Sequence, residues 1–555
     1  ELQAVLLRNV PPATANYVQR AGRAGRRTAS SALVVTFAQR KSHDLSRFQE
    51  PETMINGAVS PPVIPLGNER IDRRHAHSVA LSSFFRHVWL KSGVQWRKVG
   101  EFFSPEEGTP DPIPLLRAFL DSAPAEVTDT LRTILPLAVQ AELDLNSGAW
   151  VDALMDHLAK VQAEVQQEVD YFEDARIAAF ESRKDSLASQ FGRVLATIRK
   201  RDLLGFLGSR NILPKYGFPV DVVELRTQTS ANAVGAKLDL SRDLSAAVFE
   251  YAPGAEIVAG GWLWKSAGVY RLPERDLVHG WFASCLHCQF FEAGLTELEP
   301  VCPSCTGDRR PQRYMIPEFG FIAERIPTKP TGTPPQRSWN GGTHFVSSGR
   351  VVEPGQHWAP TPSSIVVEAS QRAKLMAVST SPTDQGYLIC DRCGRGLPTS
   401  GKTPKKHAHA WKDQECTGYL TRTALAHSYE TDVLTVEFRV NPQPTFTQAW
   451  SLLYGLLDAA SHVLGIARDD IDGTLWFTGG VPHIVLFDTV PGGAGCVLQI
   501  PTRLPDILER AGRKLSSCEC GEETSCYSCL RTYRNSIRHD ILSRGAAVEL
   551  LATLS

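Results

Sequence analysis

Eleven of the twelve cysteines fall into three tight groups, and their spacing is that of metal ligands. Cys285-x-x-Cys288 and Cys302-x-x-Cys305 stand thirteen residues apart. Each pair folds as a knuckle presenting two thiolates, and two knuckles complete the tetrahedral shell that zinc prefers. Cys390-x-x-Cys393 and Cys416 supply three ligands of a second site. His407 or His409 is the fourth; we take His409 as the candidate and leave His407 open. Cys518, Cys520, Cys526 and Cys529 lie within twelve residues and make a third. Four protein ligands leave no position for water, so all three sites are expected to be structural rather than hydrolytic. Cys496, the remaining cysteine, is expected to be a small buried apolar residue.

A different chemistry is written near the start, in Gln19-Arg20-Ala21-Gly22-Arg23-Ala24-Gly25-Arg26. Helical spacing puts Gln19, Arg23 and Arg26 on one side, with two guanidinium groups pointing the same way. A planar, permanently charged guanidinium is suited to charge developing on a transferred phosphoryl group. The small residues between them let a partner surface come close. Two further basic sets, Lys402, Lys405 and Lys406, and Arg531, Arg534 and Arg538, are candidates for contact with a nucleic-acid backbone, although an exposed lysine run is more often a solvated face. His427, Asp432 and Asp488 are hydrolytic residue types, but no nucleophile is spaced with them, and structural roles are favoured.

One phosphate-loop match is rejected. Gly396-Leu397-Pro398-Thr399-Ser400-Gly401-Lys402-Thr403 fits G-x-x-x-x-G-K-[ST], yet a true loop of this kind opens a helix. Here Pro404 follows, inside a stretch bracketed by Cys393 and Cys416.

The elements that must position these groups point to several domains, because 555 residues exceed the ~250–300 at which single cores stop growing. The expected class is α/β plus α+β multidomain. Residues 1–66 alternate strand and helix, with Leu2 to Val10 and Ala32 to Ala38 as buried strands. Residues 67–213 read as helical; Val161, Val165, Val169 and Phe172 share one helix face. Residues 214–326 turn β-rich and hold the first cysteine group. Residues 327–384 are dense in Pro, Gly, Thr and Ser and are expected to be linker or loop. Residues 385–555 carry the other two cysteine groups, a strand at Thr431 to Val440 and a helix at Phe446 to Leu464. Formal net charge is −1, so any basic surface must be local, and no apolar run reaches the ~18–20 residues that span a membrane. No secretory feature is visible, which favours zinc in a reducing cytoplasm over disulfides.

The arginine string resembles motif VI of superfamily-two helicases. With Val10 to Tyr17 before it and Ala32 to Ala38 after it, the segment is similar to the end of the second RecA-like domain of the mitomycin-repair helicase family and its phage-defence relatives. The resemblance implies that Arg23 and Arg26 act on ATP phosphates, with Gln19 beside them. The last cysteine group with Arg531 to His539, Ala426 to Leu434 and Phe487 to Gly495 resembles the cysteine-rich domain ending those helicases. Taken together, these likenesses imply a carboxy-terminal half of an ATP-dependent DNA helicase, 3′-to-5′ translocation on single-stranded or forked DNA, and a role in repair or defence. The phosphate loop and acidic magnesium box are expected in an upstream half, in cis or in a partner ATPase. ATP and Mg2+ would then bind only with that half, and this chain alone should not turn over ATP. The rival reading is an ATP-independent zinc-binding subunit for DNA or protein, working with a separate ATPase.

Overall fold

The computed structural model describes the chain except residues 1, 12–13, 26–30, 40–43, 45–46, 49–50, 57–68, 107, 146, 211, 215–220, 228–233, 273–274, 334, 353–357, 400–402, 533 and 555. Arg26 and Lys402 therefore lie outside the described residues.

At the start, Ala4–Leu7 and Leu33–Thr36 pair as parallel strands in register Ala4↔Leu33 to Leu7↔Thr36, with helix Thr14–Ala21 between them. Their composition predicts burial, and they are not buried. Their residues alternate between exposed and half-buried; Leu6 is 77% and Leu33 59% exposed, with Phe37 beside them at 66%. Apolar composition identifies the strands correctly, but nothing among the described residues covers the face that points outward.

The helices between Glu69 and Ser209 form one apolar core. Its spine is Ala149–Glu181, 33 residues and about 50 Å long. Val161, Val165, Val169 and Phe172 are all buried along it, as their spacing requires, against Val194, Leu195 and Ile198 of the antiparallel helix Asp185–Arg199. Local caps set the ends of the shorter helices: Asp111 accepts from the Ile113 amide at 3.1 Å, and Asp202 from the Gly205 amide at 2.8 Å.

Two sheets follow. The smaller runs Ser241–Asp243, Val222–Arg226, Phe321–Ala323, Trp262–Val269, Glu256–Ala259. The larger has eleven strands, built on Ile365–Thr380 and Leu420–Phe438, which pair antiparallel from Ile365↔Phe438 to Ser379↔Leu425. A bulge between Ser370 and Ala373 holds Arg372 at φ 58°, and this bends the long ribbon.

Two expectations are corrected here. Residues 327–384 are not a linker: they supply Asn340–Ser347, Arg350–Val352 and the core strand Ile365–Thr380. Turn-forming residues dominate the composition, but the apolar positions of Ile365–Thr380 find a non-local partner in Leu420–Phe438. Nor do residues 214–326 stand apart from 385–555, because Gln312–Met315 pairs parallel with Leu420–Phe438 and carries His279–Ser284 and Phe291–Gly294 into the same sheet.

Helix Phe446–Leu464 packs on the large sheet through Leu452, Leu453, Leu456 and Leu457. It is opened by Thr445 and Gln448, each side chain bonding the other's backbone amide, and closed by Gly465 at φ 68°. Helices Leu504–Ser516 and Arg544–Leu554 complete this core. The third cysteine group sits between these two helices. No helix among the described residues is long and apolar enough to cross a membrane.

Candidate metal centres and the arginine turn

The first cysteine group hangs from paired strands His279–Ser284 and Phe291–Gly294. Cys285 Sγ lies 3.5 Å from Cys305, and Cys288 Sγ 3.6 Å from Cys302. The amides of His287 and Cys288 point to Cys285 Sγ, and that of Ser304 to Cys302 Sγ, each at 3.4 Å. Each knuckle ends in a left-handed residue, Gln289 and Thr306, both at φ 59°. Amides aimed at sulfur favour the thiolate, the form that binds metal.

In the second group Cys390, Cys393, Cys416 and His407 converge. His407 Nε2 is 3.4 Å from Cys393 Sγ, and Cys390 and Cys416 are 3.9 Å apart. His409, the candidate adopted from the sequence, is corrected. The short strand pairing His407↔Cys416 puts the earlier histidine opposite a ligand. His409 Nδ1 instead accepts from the amides of Trp411 and Lys412, both at 3.3 Å. Burial and the neighbouring Lys412 hold its imidazole below the ordinary histidine range. His407→Ala is expected to lower zinc content by one per chain, whereas His409→Ala keeps it; elemental analysis of the two variants decides, and the reverse result would restore His409 as ligand.

The third group joins the end of Leu504–Ser516 to the start of Arg544–Leu554. Cys518 is 3.5 Å from both Cys520 and Cys526, and Cys529 3.7 Å from both Cys520 and Cys526. Arg544 ties the loop down, donating to the carbonyls of Cys520 at 3.0 Å and Leu515 at 3.1 Å. In every group the four ligand atoms lie within 4.8 Å of one another, so each donor set fits a tetrahedral zinc. Cys496 joins none of them: it is half-buried, and burial with the Asp488 carboxylate pushes its thiol up to about 12.

The arginine string departs from a continuous helix. The helix stops at Ala21, Gly22 and Arg23 turn, and Ala24 bridges to Leu2. Gln19 and Arg23 are exposed. Gly25 has φ 65° and donates to Leu2 O at 3.0 Å, and a Cβ there would collide with that of Ala32. Glycine at this point is a requirement of backbone and space together.

The basic candidates separate. Arg531 is spent internally, on Ser525 at 3.0 Å and on Thr524 and the His539 carbonyl. Arg538 packs over the Trp450 ring at 3.5 Å from its centroid, and burial lowers its pKa. Both are half-buried, and each guanidinium already has a partner within the chain. Arg534 is exposed and pairs with Asp469 at 3.1 Å, and Lys406 with Glu415 at 3.1 Å. Lys405 is exposed.

His427, Asp432 and Asp488 do not assemble a hydrolytic centre. Asp488 accepts from the amides of Ala494, Cys496 and Val497, and Asp432 from that of Gly495 at 3.1 Å. His427 stands elsewhere, 4.0 Å from Asp221. Gly493, at φ 70°, lies so close that any Cβ would strike the Asp432 carboxylate. Both carboxylates order the glycine-rich loop ahead of Val497–Arg503.

With this geometry in place, residues 452–530 match the family model of the MrfA Zn-binding domain. In this segment the chain is similar to the MrfA-type helicases. It is 27% identical to the Druantia protein DruE of Escherichia coli strain UMEA 4076-1, over 99% of this chain and 33% of DruE. Among solved structures it is similar to the DUF1998 helicase MrfA bound to DNA, at 13% identity and TM-score 0.36, covering all of this chain and 52% of that one. MrfA without DNA gives 12% identity, TM-score 0.36 and 54% coverage. The chain thus spans about a third of the length of its curated relative.

Proposed function

We propose that this chain is the carboxy-terminal portion of an ATP-dependent DNA helicase or translocase, contributing Arg23, with Arg26 and Gln19, to a nucleotide whose other contacts come from the remainder of the motor. The observation that carries the reading is the exposed Arg23 turn at the end of a crossover helix between parallel strands whose apolar residues are open, Leu6 at 77% and Leu33 at 59%. Parallel strands are ordinarily covered on both faces, so this pair fits the rim of a larger α/β sheet. Residues 1–66 are then the end of a RecA-like domain and 67–213 a helical domain beside it. A helicase relative solved on DNA supports DNA as the substrate.

Zinc, bound at the three cysteine groups, supplies cross-links that hold short loops a small core would leave loose. Repair or phage defence, single-stranded or forked DNA, 3′-to-5′ movement and a cytoplasmic setting belong to the same proposal. ATP turnover by the full-length protein, with and without single-stranded and forked DNA, tests it. DNA-stimulated turnover is expected. No turnover in the presence of either DNA would sink the motor reading, and turnover appearing only on addition of a separate ATPase chain would favour the zinc-subunit reading.

A further inference from the structure

The three metal modules differ in charge. Cys285 to Cys305 holds Glu292, Glu297 and Glu299 and no lysine or arginine; Cys518 to Cys529 holds Glu519, Glu522 and Glu523 and again no cation. Cys390 to Tyr419 reverses this, with six lysines and arginines against Asp391, Asp413 and Glu415. A phosphate backbone is repelled by the first and third modules and attracted by the second. Arg392, Lys405 and Lys412 are exposed there, and none forms an ion pair among the described residues.

The same module presents aromatic rings to solvent, Trp411 at 37% and Tyr419 at 75% exposed. Trp411 is held in place. Ala410 before it is buried, the amides of Trp411 and Lys412 both bond His409 Nδ1, and the indole stands edge-on to His409 at 5.1 Å. Lys412 Nζ lies 4.8 Å from the ring centroid. A groove of about 490 Å3 runs beside this turn, lined by Lys265, Arg325, Arg395 and Lys412 as well as by acidic groups. Glu324 pairs with Arg395 at 2.6 Å and Asp413 with Arg325 at 3.3 Å, which leaves Lys265 and Lys412 against Glu256 in the groove wall.

We propose that the second metal module is a single-strand-reading element, in which Trp411 stacks on an unpaired base while Lys405 and Lys412 face the backbone beside it. An immobilised ring among cations is what stacking on single-stranded nucleic acid needs, since every base offers a π-face once it leaves a duplex. His409 is the positioning residue for the ring. The proposal rests on the DNA-binding reading above and adds to it the place of contact.

The test uses this chain with labelled oligo-dT, a duplex of equal length, and heparin as a base-free polyanion. Trp411→Ala should weaken oligo-dT binding by about 5- to 100-fold, Trp411→Phe should restore part of the loss, and duplex and heparin binding should stay within about two-fold. Zinc content is measured on both variants, and if the alanine variant loses metal the phenylalanine variant carries the comparison. If the unmodified chain binds neither DNA, the DNA-binding reading itself fails. Unmodified binding with Trp411→Ala equal to it overturns only the stacking proposal, as does an equal loss toward heparin.

Discussion

Cys529→Ser is expected to remove one zinc of three and to release the carboxy-terminal helices from the rest of the chain. Cys529 and Leu530 are 6% and 2% exposed, and they belong to the core formed by Leu515, Leu550 and Leu554. Besides Arg531 on Ser525 and Thr524, the loop that carries the cysteines is anchored by the start of the last helix. Arg544 grips its carbonyls, and Ser543 and Gly545 bond Glu522 O, each at 2.8 Å. Those bonds join the loop to Arg544–Leu554, so they lose their register once the metal is gone. Structural zinc has an apparent binding free energy of ~10–16 kcal/mol in small domains, against ~5–15 kcal/mol for the whole stability of a typical fold. Loss of one ligand should therefore exceed what the surrounding core can offset. Elemental analysis should fall to two zincs, and limited proteolysis should open new cleavage between Leu504 and Leu554. Cys496→Ser is the control, because that thiol belongs to none of the three groups, and it should keep three zincs and the parent cleavage pattern. Three zincs in Cys529→Ser, or two with unchanged protection, would contradict a structural role for this site.

How much of the fold and its sites is legible in the sequence depends on how local each signal is. Ligand spacing within a knuckle is local, so all three groups are visible. The face made by Val161, Val165, Val169 and Phe172 is visible for the same reason, and so is the helix Phe446–Leu464, whose capping pair Thr445 and Gln448 marks its start. Choices that depend on distant partners are not. His407 and His409 are both within reach of the second group, and only the pairing of His407 with Cys416 separates them. Ile365–Thr380 is hidden by the turn-rich residues around it, because what makes it a strand is Leu420–Phe438. Arg538 reads as a surface cation until Trp450 is found beneath it. The strands near the start show the opposite error: their composition predicts burial, which the described residues of this chain do not supply.

That open pair of strands bears on the second large effect, which is expected from Arg23→Ala in the full-length protein. Arg23 sits after the last helical residue, Ala21, and its side chain is exposed. The backbone around it is fixed by other groups, through Ala24 against Leu2 and the left-handed Gly25 against Ala32. Removing the guanidinium therefore leaves the turn intact, and an effect on turnover cannot be put down to unfolding. An arginine that stabilises charge on a transferred phosphoryl group is worth about 10³–10⁵ in rate. DNA-stimulated ATP hydrolysis should fall by that order, with the KM for ATP changed much less, since the interaction is stronger in the transition state than in the bound substrate. Arg23→Lys should recover little, because an ammonium keeps the charge but lacks the planar fork. Zinc content and affinity for oligo-dT should remain those of the parent, which separates this outcome from damage to the metal modules. Turnover within a few-fold of the parent in Arg23→Ala would mean that the exposed turn is a solvated surface, and the case for this chain as part of a motor would lose the residue on which it rests.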